Sequence, residues 1–261
     1  MDLVCDERLS DSPLIARIWR SQGERPGPFI STAEIEGGLV VTKYKGYTTM
    51  TLRGPATKAT PAYCPPEAEF FGIQFKPGVF VPHLPAKLVM NRQDINLPEA
   101  TSKSFWLDGS AWQYPNYENG DTFVNRLVCS GLLVYEPIVG AVLQGQSVEM
   151  SLRTVQRRFL QATGLTHTSI HQINRARYAT DLLKQGTSIL DTVYEAGYFD
   201  QPHLTRALKH YIGLTPAQIT DHRRTERLSF LYKKNSSQLN YNTNVLKTIN
   251  GYAQSVSTSN Y

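Results

Sequence analysis

The sequence predicts an α+β chain: a β-rich N-terminal half followed by an all-α domain of two helix-turn-helix units joined by a linker helix. Prolines at 55, 61, 65, 66, 77, 82 and 85 exclude long helices from the first half. From Pro137 onward, apolar residues recur at helical spacing between glycine-containing turns. Charge divides the same way. Residues 1–146 hold 13 Lys/Arg against 15 Asp/Glu, whereas residues 147–261 hold 14 against 7, so the positive charge is concentrated where a polyanion would be met.

In chain order, Leu39 to Leu52 contains two β-prone runs around a turn at Lys45-Gly46, and Glu69 to Phe75 forms another run closed by Pro77-Gly78. These first ~115 residues predict a small antiparallel sandwich or barrel. Glu118 to Val134 then turns helical, with Phe123, Leu127 and Val134 on one face. The expected units are a β-rich domain over 1–135 ending in a helix, a helical domain over 136–225, and a flexible tail rich in Ser, Asn, Thr and Tyr over 226–261.

The helical region carries a duplication. In the second copy, Thr187-Ser188 offers an N-cap to a helix with Ile189, Val193 and Ala196 on one side. Gly197 ends it, and Tyr198-Phe199 form the turn and pack as core plugs. Asp200 caps the next helix, with Pro202 tolerated in its first turn. That helix buries Leu204, Leu208 and Tyr211, exposes Gln201, His203, Thr205, Arg206 and Lys209, and stops at Gly213. In the first copy, Ser151 caps a helix that buries Val155 and Phe159, presents Arg153, Thr154, Gln156, Arg157 and Arg158, and ends at Gly164. Its leading helix is poorly marked ahead of Gln144-Gly145-Gln146-Ser147. Thr166 to Lys184 runs between the copies with Ile170, Ile173, Ala176 and Leu183 inward. Two short helices around a tight turn, the second with a polar face, form an arrangement that enters the DNA major groove.

The stretch Asp191 to Val193, Gly197-Tyr198-Phe199-Asp200-Gln201-Pro202-His203-Leu204-Thr205-Arg206, Lys209 and Gly213-Leu214-Thr215-Pro216 resembles the C-terminal signature of AraC-type transcriptional regulators. Ser151 to Phe159, Thr163-Gly164 and Arg175 resemble that family's first unit and linker helix. The match covers roughly residues 137–222. Val193 stands where the family usually has alanine, and Pro202 where it often has a small polar residue. The resemblance implies double-stranded DNA as partner, RNA polymerase contact, activation more often than repression, and an N-terminal half that binds an effector or forms a homodimer. The DNA-binding candidates are Arg153, Gln156, Arg157, Gln201, Thr205 and Arg206, with Arg158 and Lys209 as phosphate contacts.

Other classes fit less well. Cys5, Cys64 and Cys129 are scattered without a CxxC pair, which argues against a disulfide framework or a thiolate zinc site. Residues 1–146 contain a single histidine, His83, too few ligands for a metal-binding barrel. No nucleophile pattern or phosphate loop is present, so neither a cofactor nor catalysis is expected. The weighed alternative is a small-molecule-modifying β-barrel enzyme fused to a DNA-binding module. Trp19, Phe70, Phe71, Phe75, Trp106, Trp112 and Tyr114 are candidates for a ligand pocket or for the core. The N-terminus lacks the pattern of a signal peptide, and the most apolar stretch, Leu127 to Leu143, is interrupted by Glu136-Pro137. A cytoplasmic protein with no membrane span is expected.

Overall fold

Alternating apolar and polar residues build the first half into strands. A computed structural model describes residues 5–22, 26–91 and 95–221. The expected tail over 226–261 lies outside them. The elements of the first half are β1 (Cys5–Arg8), β2 (Ile15–Gln22), β3 (Gly27–Ser31), β4 (Gly38–Tyr44), β5 (Tyr47–Arg53), β6 (Thr60–Cys64), β7 (Glu69–Phe75), β8 (Val79–Phe80), α1 (Ala86–Val89), β9 (Ile95–Leu97), β10 (Glu99–Thr101), β11 (Ser104–Leu107), β12 (Ser110–Gln113), α2 (Gly120–Cys129) and β13 (Val134–Tyr135). A six-stranded antiparallel sheet has the order β1-β2-β7-β4-β5-β9. Smaller sheets pair β10-β11-β12, β13-β8 and β3-β6. The hairpin between β4 and β5 turns on Lys45 (φ 49°) and Gly46 (φ 81°), the left-handed pair that a two-residue loop requires.

The period of two sorts each strand onto two faces. Val41, Met50, Leu52, Phe71 and Phe75 pack with Phe105, Trp112 and the α2 residues Phe123, Val124 and Leu127 in the main core. The other face carries Trp19, Val40, Thr42, Thr51, Phe70 and Gln74, and it lines a cavity of about 400 Å³ that Phe29, Ser31, Tyr63 and Cys64 of β3 and β6 also line. The expected pocket aromatics therefore divide. Trp19 and Phe70 line the cavity, Phe71, Phe75 and Trp112 are core, Tyr114 packs partly buried against that core, and Trp106 is exposed.

The helix expected over Glu118 to Val134 is shorter, because the chain turns at Ser130 and Gly131 (φ 69°). Val134 belongs to β13, paired with Phe80, and Leu132 and Leu133 take the buried places instead.

The helical region begins at Pro137, the first-turn residue of α3 (Pro137–Leu143), whose N-terminus is capped by Glu136. Then follow α4 (Leu152–Thr163), α5 (His167–Lys184), α6 (Ile189–Glu195), α7 (Gln201–Tyr211) and α8 (Pro216–Thr220). Thus a β-rich N-terminal region precedes a helical C-terminal region. No helix among the described residues is long and apolar enough to cross a membrane.

Candidate nucleic-acid interface

Each helix of the C-terminal region starts where a side chain accepts a backbone N–H. Ser151 caps α4 through Thr154 N, Thr166 caps α5 through Ser169 N, Ser188 caps α6 through Asp191 N, and Asp200 caps α7 through His203 N at 2.6 Å. Gly164 (φ 69°) and Gly197 (φ 68°) end α4 and α6 in the left-handed region. After Gly197 the chain sends Tyr198 inward and Phe199 outward. Tyr198 is buried, and that burial pushes its hydroxyl up to about 12. Phe199 is 91% exposed, which corrects its expected place in the core.

On α4, Arg153, Gln156, Arg157 and Leu160 are exposed. They fall at i, i+3, i+4 and i+7, one face of a helix, while Phe159, Ala162 and Thr163 are buried on the other. Val155, expected in the core, is only half-buried. On α7, Gln201, Arg206 and Lys209 are exposed and Thr205 is half-buried, while Leu204, Ala207 and Leu208 face inward. Tyr211 is half-buried. All six expected base- or backbone-contacting residues thus reach the surface on two helices whose apolar faces are spent on packing.

The phosphate candidates divide. Lys209 stands exposed, whereas Arg158 has another partner. Its Nε donates to the Glu136 Oε2 carboxylate at 2.9 Å, tying α4 to the N-cap of α3. That bond gives Arg158 the role of a brace between the two helices of the first unit. Arg175 does similar work for the second unit. Its Nη1 donates to the Gly197 carbonyl at 3.3 Å, and its guanidinium lies 4.3 Å from the centre of the Tyr198 ring.

The linker helix α5 carries Ile170, Ile173, Ala176 and Leu183 inward, as expected, with Ala179 beside them and a charged residue the periodicity does not single out. Arg177 is 4% exposed. Its Nη2 donates to the Ala33 carbonyl at 2.8 Å and to Glu34 Oε1 at 3.1 Å, and its Nη1 lies 3.7 Å from Glu36 Oε2. Burial raises the Glu36 carboxyl to about 8, against the pull of Arg177, with the neighbouring Glu34 adding to the rise. Glu34 shifts the other way: Arg177, Glu36, Arg17 and Arg53 together outweigh its desolvation and hold it below the usual carboxylate range. The halves also join through backbone. Ala33 N donates to the Tyr211 carbonyl at 2.7 Å, and Ala59 N to the His210 carbonyl at 2.8 Å. A side chain at Gly213 would meet Ile30 at 2.7 Å, so the end of α7 sits directly against β3.

With this geometry in place, comparison with known proteins places the region. Residues 145–222 match the family model described as a helix-turn-helix domain. This C-terminal region is an AraC-type helix-turn-helix domain. The match takes in α4 to α8 and leaves α3 outside it. The chain is similar to the HTH-type transcriptional regulator RipA of Corynebacterium diphtheriae, 32% identical over 99 residues, which are 38% of this chain and 30% of the relative. The chain therefore aligns with under a third of that relative's length. No solved structure matches.

Proposed function

We propose that the protein is a sequence-specific regulator of transcription that binds double-stranded DNA through α4 and α7 and answers to a small molecule held by its N-terminal half. The observation that carries the reading is the pair of exposed polar faces on these two helices, each second in a helix-turn-helix unit. Arg153, Gln156, Gln201 and Thr205 read base edges, Arg157 and Arg206 supply further charge to the groove and backbone, and Lys209 contacts phosphate. Arg158 braces the first unit. At 18 residues, α5 is about 27 Å long at 1.5 Å per residue, and it sets the separation of the two units along one face of the duplex.

Selection of bound sites from randomised duplexes, followed by titration at increasing salt, tests this. The logarithm of affinity should fall linearly with the logarithm of salt, at about −0.9 per neutralised phosphate. Arg153→Ala should relax preference at individual base pairs by about 1–3 kcal/mol, whereas Lys209→Ala should weaken all sequences alike. Failure to enrich any site, or an affinity insensitive to salt, overturns the proposal.

A further inference from the structure

The turn of the second unit presents an aromatic side chain that the rest of the molecule does not use. Phe199 immediately precedes Asp200, the N-cap of α7, and is 91% exposed. Single apolar side chains are ordinary on protein surfaces, so exposure alone assigns it nothing. Its position does more. An apolar residue just before an N-cap commonly packs back on the fourth residue of the helix. Here that residue is Leu204, already fully buried in the cluster that the linker helix closes, and the Phe199 ring stays outside. The equivalent residue of the first unit, Met150 before Ser151, has a partner: its sulfur lies 3.8 Å from Arg158 Nη1.

The turn beneath Phe199 is fixed. The buried Tyr198 ring meets the His203 ring edge-on at 5.1 Å and lies 4.3 Å from the Arg175 guanidinium. Asp200 turns its carboxylate back to the His203 N–H, which leaves Phe199, Gln201 and Pro202 as the exposed residues at this end of α7. Two trans peptide links separate Phe199 from Gln201, so their Cα atoms lie within about 7.6 Å of each other. Charge sets this end apart from the helix before it. Leu190 and Tyr194 of α6 are also exposed, but Asp191 and Glu195 stand exposed on the same helix, and two carboxylates repel a phosphate backbone. The exposed Arg206 and Lys209 of α7 attract one.

We infer that Phe199 is a specificity-determining residue that packs on the C5-methyl group of a thymine in the major groove, beside the base pair read by Gln201. The inference rests on the reading of α7 as a DNA-reading helix. Such a helix enters the groove with its N-terminal residues, and Phe199 accompanies them. The thymine methyl is the apolar group that a base pair shows in the major groove, and it is the one an aromatic ring can cover favourably. A phosphate or a polar base edge covered by a phenyl ring would lose water without gaining a hydrogen bond. Because the turn is already held by Tyr198, little freedom is lost when the ring is covered. Phe199 thus adds a preference for thymine to the hydrogen bonds of its neighbours.

The test uses the full chain, unaltered and as Phe199→Ala, with the duplex that the unaltered chain selects from randomised sequences. Thymines of that duplex are replaced one at a time by deoxyuridine, which keeps the pairing and removes only the methyl group. At one position, replacement should weaken binding by the unaltered chain about fourfold, the worth of one buried carbon group. Phe199→Ala should weaken binding to the thymine duplex by at least about fourfold and should not respond to that replacement. The position should adjoin the base pair at which Gln201→Ala relaxes preference. Phe199→Ala should keep the melting temperature of the unaltered chain, and Tyr194→Ala should retain the deoxyuridine effect in full. Equal deoxyuridine effects in the unaltered and Phe199→Ala chains, or none in the unaltered chain, overturn the inference and leave DNA binding by α7 standing. A Phe199→Ala loss equal on every sequence would place the ring on the DNA backbone, and lost activation with unchanged DNA affinity would place it on a protein partner; either overturns the inference. Failure to select any duplex overturns the DNA-binding reading itself and this inference with it.

Discussion

In the second helix-turn-helix unit, Leu204, Leu208 and Ile212 close against Ala176, Ala179 and Leu183 of the linker helix. In the first, Phe159, Ala162 and Leu165 share their cluster with Ala33 and Ile35 of the N-terminal half. Among the described residues, the core of the second unit meets the N-terminal half at Ile30, and backbone bonds from Ala33 and Ala59 hold the end of α7. The other completes its core with the wall of the cavity. The turns differ in the same sense. Five residues, Ala196 to Asp200, separate α6 from α7, whereas eight, Gln144 to Ser151, separate α3 from α4. The tight turn is pinned by Arg175, and the long one is held by the Arg158–Glu136 pair. A shared plan thus yields one unit whose core is closed mainly by the linker helix and one whose core is completed by the N-terminal half, and it is the latter that packs on the chain segment leading out of the cavity.

The sharpest way to break this comparison is to empty each core in turn. Phe159→Ala should cost about 3–5 kcal/mol and Leu208→Ala about 2–5 kcal/mol, since each leaves a cavity in a packed cluster. The sites of damage should differ. Phe159→Ala should lower hydrogen-exchange protection in α4 and at the Ala33 amide together, while Leu208→Ala should lower it in α6, α7 and α8. Loss of protection confined to α4 in the first variant would mean that the first unit does not depend on the N-terminal half.

Arg177→Met attacks the junction directly. It leaves the Glu34 charge buried beside an apolar residue, and breaking a buried pair from one side costs about 3–5 kcal/mol. Unfolding should become less cooperative between the halves, with α6 to α8 melting last. An unchanged melting temperature would show that the contacts of Ala33 and Ile35 alone hold the junction.

The same junction has a pH signature. Glu36 is faced by Arg177 from α5 and sits near Glu34, which Arg17 and Arg53 also influence. Its carboxyl is raised from 4.5 to about 8, so the folded chain keeps a proton that the unfolded chain releases near 4.5. That contribution is fully present below pH 4.5 and is lost as pH rises toward 8. Its limiting slope is about 1.4 kcal/mol per pH unit. Glu34, held low, acts oppositely and only as pH falls through its own range. Denaturant titrations from pH 5 to 8 should show stability falling, and Glu36→Gln should flatten the fall. A variant with the slope of the unaltered chain would reassign it to other groups.

Most of the helical region was legible in the sequence because its signals are local. Ser151, Ser188 and Asp200 cap the helices they precede, and the exposed faces of α4 and α7 follow from where Phe159, Leu204 and Leu208 must point. The hairpin at Lys45-Gly46 was equally local. What escaped were features that depend on contacts far apart in the chain. Glu34 and Glu36 alternate with Ala33 and Ile35, a period of two that marks two faces but does not say that one faces a cavity and the other a helix some 140 residues on. Arg177 follows Ile170, Ile173 and Ala176 along the buried side of α5, so a charge within an apolar stripe was its only signal. Arg158 carries the same local signal as Arg153 and Arg157, and its ion pair with Glu136, 22 residues back, is what sets it apart. Phe199 reads as a core plug beside Tyr198, yet after the left-handed Gly197 the chain buries Tyr198 and leaves Phe199 exposed.

The smallest expected effect separates the two units at their helix starts. Asp200 is an anionic cap whose Oδ1 accepts from His203 N at 2.6 Å, and its charge faces the positive end of the α7 dipole. Ser151 is a neutral cap whose Oγ accepts from Thr154 N at 3.3 Å, near the long limit of a useful bond. Losing a cap costs about 1 kcal/mol on average, within a range of about 0.5–2. Asp200→Ala should fall at the upper end of that range and Ser151→Ala at the lower. Asp200→Asn keeps an acceptor while removing the charge, so it should recover part of the loss and report the dipole share separately. Equilibrium unfolding by circular dichroism resolves differences of this size. Equal losses at the two caps would mean that cap geometry does not distinguish the units, and that the contrast between them rests on the packing of Phe159 and Leu208 alone.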